Sequence, residues 1–151
     1  MFYRYQHESD IYPDLSRLPL HVRMKLDLTG IKIGLKDWLA FSIEERTVLC
    51  HLPVESEEEK QAFASYVDFL SRRYRDAPAA RTAPISSSLW NNSREVPLAV
   101  ERKAAHTSPV TIEEWGRWKF HQRYALYKTA LSQSEPEQFF AVLKELRESQ
   151  D

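Results

Sequence analysis

Pro19-Leu20-His21-Val22-Arg23-Met24-Lys25 returns 78 positions later as Pro97-Leu98-Ala99-Val100-Glu101-Arg102-Lys103. Trp38, Arg46 and Leu49 return as Trp115, Arg123 and Leu126, each 77 positions on, so one residue lost in the intervening loop reconciles the two offsets. Seven identities in one order (Pro, Leu, Val, Lys, Trp, Arg, Leu) read as a duplicated helical unit forming two pseudo-equivalent halves. Duplication builds a scaffold or a binding surface more readily than it explains an active site.

Working outward from that repeat, helix signals are plentiful and strand signals poor. Leu15, Leu18, Val22 and Leu26 fall on one helical face at three- and four-residue spacing. Pro19 suits a first turn, where its missing N–H has no intrahelical partner to lose, and Gly30 suits a left-handed stop. Ile31-Lys32-Ile33 is a short extended link, too short for a sheet. Ser42-Ile43-Glu44-Glu45 is a capping box opening a helix toward Leu52, stopped by Pro53. Ser56 with Glu57, Glu58 and Glu59 opens the next helix, which buries Phe63, Tyr66, Val67 and Leu70 and ends among Arg72, Arg73 and Arg75.

The second half repeats the scheme, with helices over Val96 to His106 and Phe120 to Leu131 and a capping box, Thr111 to Glu114, ahead of Trp115. A last helix starts at Ser134, with Phe139, Phe140, Val142, Leu143 and Leu146 on its apolar face. The predicted fold class is all-α: a duplicated multi-helix unit of about eight helices, two of them short and carrying Trp38 and Trp115. The halves are expected at 1–75 and 95–151, packed as one globular unit, with a linker or loop over 76–94. Within that linker of Ala-Pro steps and serines, Trp90 reads as an anchor or, alternatively, an exposed partner-binding aromatic.

Composition narrows the function classes. At 151 residues, 42% hydrophobic, the chain can build a core without staples. A net charge of −1 gives no global field toward nucleic acid or acidic membrane. The single cysteine, Cys50, excludes an internal disulfide and suits a reducing compartment. No signal-peptide core or membrane-length apolar run is present, so a soluble cytoplasmic protein is expected, with no membrane partner. Three glycines are too few for a phosphate cradle or dinucleotide fold.

Catalytic and metal constellations are weak. The five histidines are scattered, and Cys50-His51 are sequence neighbours that point in different directions on a helix, so no metal or cofactor is expected and Cys50 reads as buried and inert. The acid pairs at 44–45, 57–59 and 113–114 sit at helix starts, where the dipole accounts for them. Arg117-Trp118-Lys119-Phe120-His121-Gln122-Arg123-Tyr124 alternates bases and aromatics, as a nucleic-acid stacking surface would. The competing reading turns Phe120, Tyr124 and Tyr127 to the core and Arg117, Lys119 and Lys128 to water. The Trp38/Arg46 and Trp115/Arg123 pairs read as indoles packed between helices, with the guanidinium stacked on them or capping carbonyls.

The run from Leu18 to Ile33, with Leu35-Lys36-Asp37-Trp38 after it, resembles the signature of the nitrate reductase-associated protein family: Pro-x-x-Val-Arg-x-Lys-Leu-Asp-x-x-Gly-Ile-Lys, then an acid-Trp pair. The likeness extends over about residues 5 to 130. It implies a non-enzymatic accessory or maturation factor of the cyanobacterial type, whose partner is a molybdenum-dependent assimilatory nitrate reductase. No catalytic residue is carried over. Arg23, Lys25, Asp27 and Lys32, charges in an otherwise apolar signature, are expected at the surface, as a partner contact or as salt bridges between the halves. A nucleic-acid-binding helical module and an enzyme of unrecognised type are the rival readings.

Overall fold

Capping chemistry sets several of the helix boundaries. The computed structural model describes residues 1–149, so the last two residues of the expected second half lie outside the described residues. Ten helices occur among the described residues. After a 3₁₀ helix at Gln6–Ile11 come α1 (Leu20–Thr29), α2 (Leu35–Ala40), α3 (Ile43–His51), α4 (Glu57–Arg75) and α5 (Ser88–Asn91). They are followed by α6 (Leu98–Ala104), α7 (Ile112–Arg117), α8 (Phe120–Leu131) and α9 (Glu137–Glu148). The capping boxes at Ser42, Ser56 and Thr111 form, each hydroxyl accepting the N–H of the acid three residues on at 3.1 Å.

Two helices exceed the eight expected: the turn at Gln6–Ile11 and α5, each too short to show an apolar period. α6 is shorter than the expected helix, because Pro97 caps it from outside and its last described turn loosens after Ala104. The extended link does pair: β1 (Ile31–Lys32) and β2 (Ala80–Arg81) form a two-stranded antiparallel ladder, Ile31 opposite Arg81 and Lys32 opposite Ala80. The reason is long-range, since residues 79–85 return along the end of α1, and spacing around Ile31 could not show it.

The chain divides into two compact units, the first holding residues 1–4 and 8–86, the second residues 5–7 and the chain from Ser87 onward. α1 to α4 and the ladder make the first, around Val22, Trp38, Leu49, Phe63, Val67 and Leu70, all fully buried. α5 to α9 make the second, around Trp90, Val100, Trp115, Leu126, Phe139 and Val142, each at most 1% exposed. Trp90, in the stretch read as a linker, is buried against Phe120, Tyr124 and Tyr127 with ring centroids 5.0 to 5.9 Å away. It anchors this segment as an internal aromatic.

Candidate functional site

The Trp–Arg pairs are knots that bind backbone. In the first unit, the Trp38 indole N–H donates to the Leu15 carbonyl at 2.7 Å. Arg46 spreads its guanidinium over the carbonyls of Trp38 (2.9 Å), Asp14 (3.0 Å), Leu15 (3.4 Å) and Leu39 (2.8 Å). Leu15 is held left-handed (φ 51°), a conformation costing an L-residue about 1–2 kcal/mol. The knot offsets that cost by taking up the Leu15 carbonyl. In the second unit, Trp115 donates to Asn92 at 2.8 Å, and Arg123 donates to the carbonyls of Trp115 (3.0 Å), Asn91 (3.2 Å) and Gly116 (3.2 Å). Every acceptor in the second set stands 77 positions after one in the first.

A further acid recurs at the same offset, each time paired with an arginine of a later helix. Asp37 accepts the Gly34 N–H at the start of α2 and pairs with Arg75 of α4 at 3.2 Å. Glu114 occupies the matching place on α7 and takes Arg147 of α9 in a fork at 2.8 and 3.0 Å. Arg147 holds the Glu114 carboxyl below the usual carboxylate range.

The four signature charges do not share one environment. Arg23 is exposed, its Nε donating to the Leu18 carbonyl at 3.3 Å. Asp27, one turn on, is half-buried, and its carbonyl accepts the Ile85 N–H at 2.8 Å. Lys32 is exposed on β1. Lys25, expected at the surface, is fully buried: its Nζ donates to the carbonyls of Cys50 (2.6 Å), Met1 (3.2 Å) and Leu49 (3.3 Å). Two of those acceptors end α3, so Lys25 caps a helix C-terminus where a cation suits the dipole. Removal from water nonetheless pulls its pKa down to about 8.

The signature glycine also has a backbone task. Gly30 caps α1 at φ 71°, and a Cβ there would stand 2.5 Å from the Thr82 carbonyl oxygen. Its own carbonyl accepts the Thr82 N–H at 2.8 Å. Close approach and left-handed geometry together demand glycine.

Other chemistry-bearing groups are likewise committed to structure. Cys50 is fully buried and its thiol is pushed up to about 12 by that burial, which suits a packing role. Glu8, 8% exposed, accepts the Leu20 N–H at 3.2 Å and the Tyr12 hydroxyl at 2.7 Å, supplying the N-terminal cap that Pro19 cannot give α1. Burial raises its pKa despite those bonds. In the basic-aromatic segment, Trp118 and Tyr124 are buried and Arg123 belongs to the second knot, so the alternation does not form an open stacking face. Phe120 and Tyr127 are half-buried, Arg117 and Lys119 exposed. No group of three or more His, Cys, Asp or Glu could hold a metal among the described residues. A shallow depression of about 460 Å³ in the second unit has Phe140, Leu143, Lys144 and Arg147 on its walls. Its guanidinium is already taken by Glu114, Ser108 and Pro109.

A family model described as conserved nitrate reductase-associated protein matches residues 4–146, both units and nearly the whole described chain. The chain belongs to this family. Neither a curated protein nor a solved structure matches it. The family association with nitrate reductase points to an accessory rather than a catalytic protein. No helix among the described residues is long and apolar enough to cross a membrane. Within the nitrate reductase-associated signature, sequence reasoning missed that Lys25 serves the fold and that Gly30, read correctly as a helix stop, also lies against Thr82. A lysine on the α1 face that carries Val22 and Leu26 was the available signal for Lys25; no local signal announces Thr82 beside Gly30.

Proposed function

We propose that this chain is a cytoplasmic, non-enzymatic factor that binds a molybdenum-dependent assimilatory nitrate reductase during maturation. The family match over residues 4–146 carries the reading. It is supported by the buried titratable groups, Glu8, Lys25 and Cys50, whose bonds and burial serve helix ends and packing. The proposed contact uses the exposed Arg23 and Lys32 with Asp27 beside them, while Lys25 keeps α3 in place behind them.

The same proposal takes the two units as descendants of one duplicated module. In its support, α1 to α4 and α6 to α9 run in the same order, and both knots and the Asp37/Glu114 pair recur at one offset. Val22 and Val100 are both fully buried, as are Leu49 and Leu126. The deciding experiment is nitrate reductase activity, normalised to reductase polypeptide, in a strain lacking the gene. Activity is expected to fall while the polypeptide persists; unchanged specific activity would refute the maturation role.

A further inference from the structure

α4 buries one side and leaves the other open along its whole length. Phe63, Val67 and Leu70 enter the core. On the outer side Glu58, Ala62, Ser65, Phe69 and Arg72 succeed one another at alternating four- and three-residue steps, and all five are exposed, Phe69 at 57%. That alternation is the seam spacing of a two-helix coiled coil, here on a face that no other described element of the first unit covers.

The stripe is complementary to its own reverse. Turned end over end about Ser65, a second copy sets Ala62 opposite Phe69 and Glu58 opposite Arg72. The small side chain leaves room for the phenyl ring, and acid meets base at both ends. Glu57 and Arg73 flank the seam in the same relation, with side chains 81% and 61% exposed. Glu58 makes no ion pair among the described residues, and Arg72 acts on Asp68 only through its charge. Acids in the first turn and bases in the last also suit the dipoles of two antiparallel helices.

We propose that α4 is the contact face of a symmetric, antiparallel homodimer of this chain, with Phe69 as its apolar anchor and Glu58–Arg72 as its paired ends. From Glu58 to Arg72 the seam runs about 21 Å. Such a helix pair lies at the small end of specific interfaces, so the dimer is expected to dissociate with a Kd of roughly 1–100 μM. A two-fold arrangement uses each contact twice, which makes charge reversal a sensitive probe.

The test is sedimentation equilibrium from low micromolar to several hundred micromolar, on wild type, Glu58→Arg, Arg72→Glu and an equimolar mixture of the two variants. Each variant alone places like charges at both ends and is expected to weaken the dimer at least tenfold. In the mixture one protomer carries only bases at these positions and the other only acids, so heterodimers should regain wild-type association. Phe69→Ser should weaken association without altering the circular dichroism spectrum, since the ring lies outside the core. A wild type that stays monomeric throughout, or a dimer that neither charge variant weakens, overturns the proposal. So does a mixture that fails to recover.

Discussion

Lys25 offers a direct reading of how the first unit is held together, through the pH dependence of Lys25→Met. In the folded chain burial brings the ammonium pKa to about 8, against an ordinary value of 10.5. Below pH 8 both folded and unfolded chains hold the proton, and folding bears the cost of burying the charge. Between about 8 and 10.5 only the unfolded chain holds it, so the stability of the fold rises with pH. Integrated from pH 7 to pH 10, that rise is roughly 2–3 kcal/mol, and Lys25→Met should lack it. Titrations of groups that do not feel the Lys25 charge cancel in the difference between wild type and variant, whereas those of Met1, Cys50 and His51 are coupled to it. Urea unfolding followed by tryptophan fluorescence, repeated across this range, measures it. At pH 7 the variant should cost only about 1–2 kcal/mol, since lost bonds to Leu49 and Cys50 are set against a relieved desolvation. Parallel stability curves for wild type and variant would refute the reasoning, because the three carbonyls would then compensate the ammonium fully.

Arg46→Lys and Arg123→Lys should each cost about 2–3 kcal/mol in urea unfolding, because the single nitrogen of an ammonium cannot reach all the carbonyls that the three guanidinium nitrogens meet in their fixed fork. Gly30→Ala should cost more than about 2 kcal/mol and speed hydrogen exchange at Thr82 and Ile85, whose N–H groups bond the end of α1. The raised Glu8 pKa means the folded chain keeps a proton the unfolded chain has lost, so its contribution to stability falls as pH rises from the ordinary value near 4.5 toward the folded one. Glu8→Gln should flatten that fall in a pH series of thermal unfolding.

Helix content was legible in the chain wherever the cause was local. The three Ser/Thr capping boxes, the Gly30 stop and the end of α3 before Pro53 are all written in neighbouring residues. The β1–β2 ladder, α5 and the Gln6–Ile11 3₁₀ helix were not, because each depends on partners far along the chain or is too short to show a period. Among the site residues the charge pattern was misleading at Lys25. Side-chain length lets an ammonium cross the core to helix-end carbonyls, and charge alone does not distinguish that course from exposure. The Trp–Arg spacing was legible as a helix-packing device, yet the backbone acceptors near residues 14–15 and 91–92 lie outside any window around the arginines.

Where the two units agree and where they differ also bears on the proposed contact. Agreement is concentrated in groups that bond backbone or fill the core: Trp38 and Trp115, Arg46 and Arg123, Val22 and Val100. Difference is concentrated in the first unit's signature. Lys25 is buried on three carbonyls while Lys103 is half-buried, and Gly30 corresponds to Ser108, which takes Arg147 instead of a strand. At the surface, Arg23 corresponds to Glu101, an opposite charge at the same place on the matching helix, and both are exposed. No fold requirement common to both units fixes that charge, which suits the contact proposed above, although in the first unit Arg23 also donates to the Leu18 carbonyl. Reversing Arg23 and Lys32 together should lower reductase activation several-fold with thermal stability within about 0.5 kcal/mol of wild type. Glu101→Arg should leave activation unchanged, and activity surviving the first pair of substitutions would remove this face from the contact.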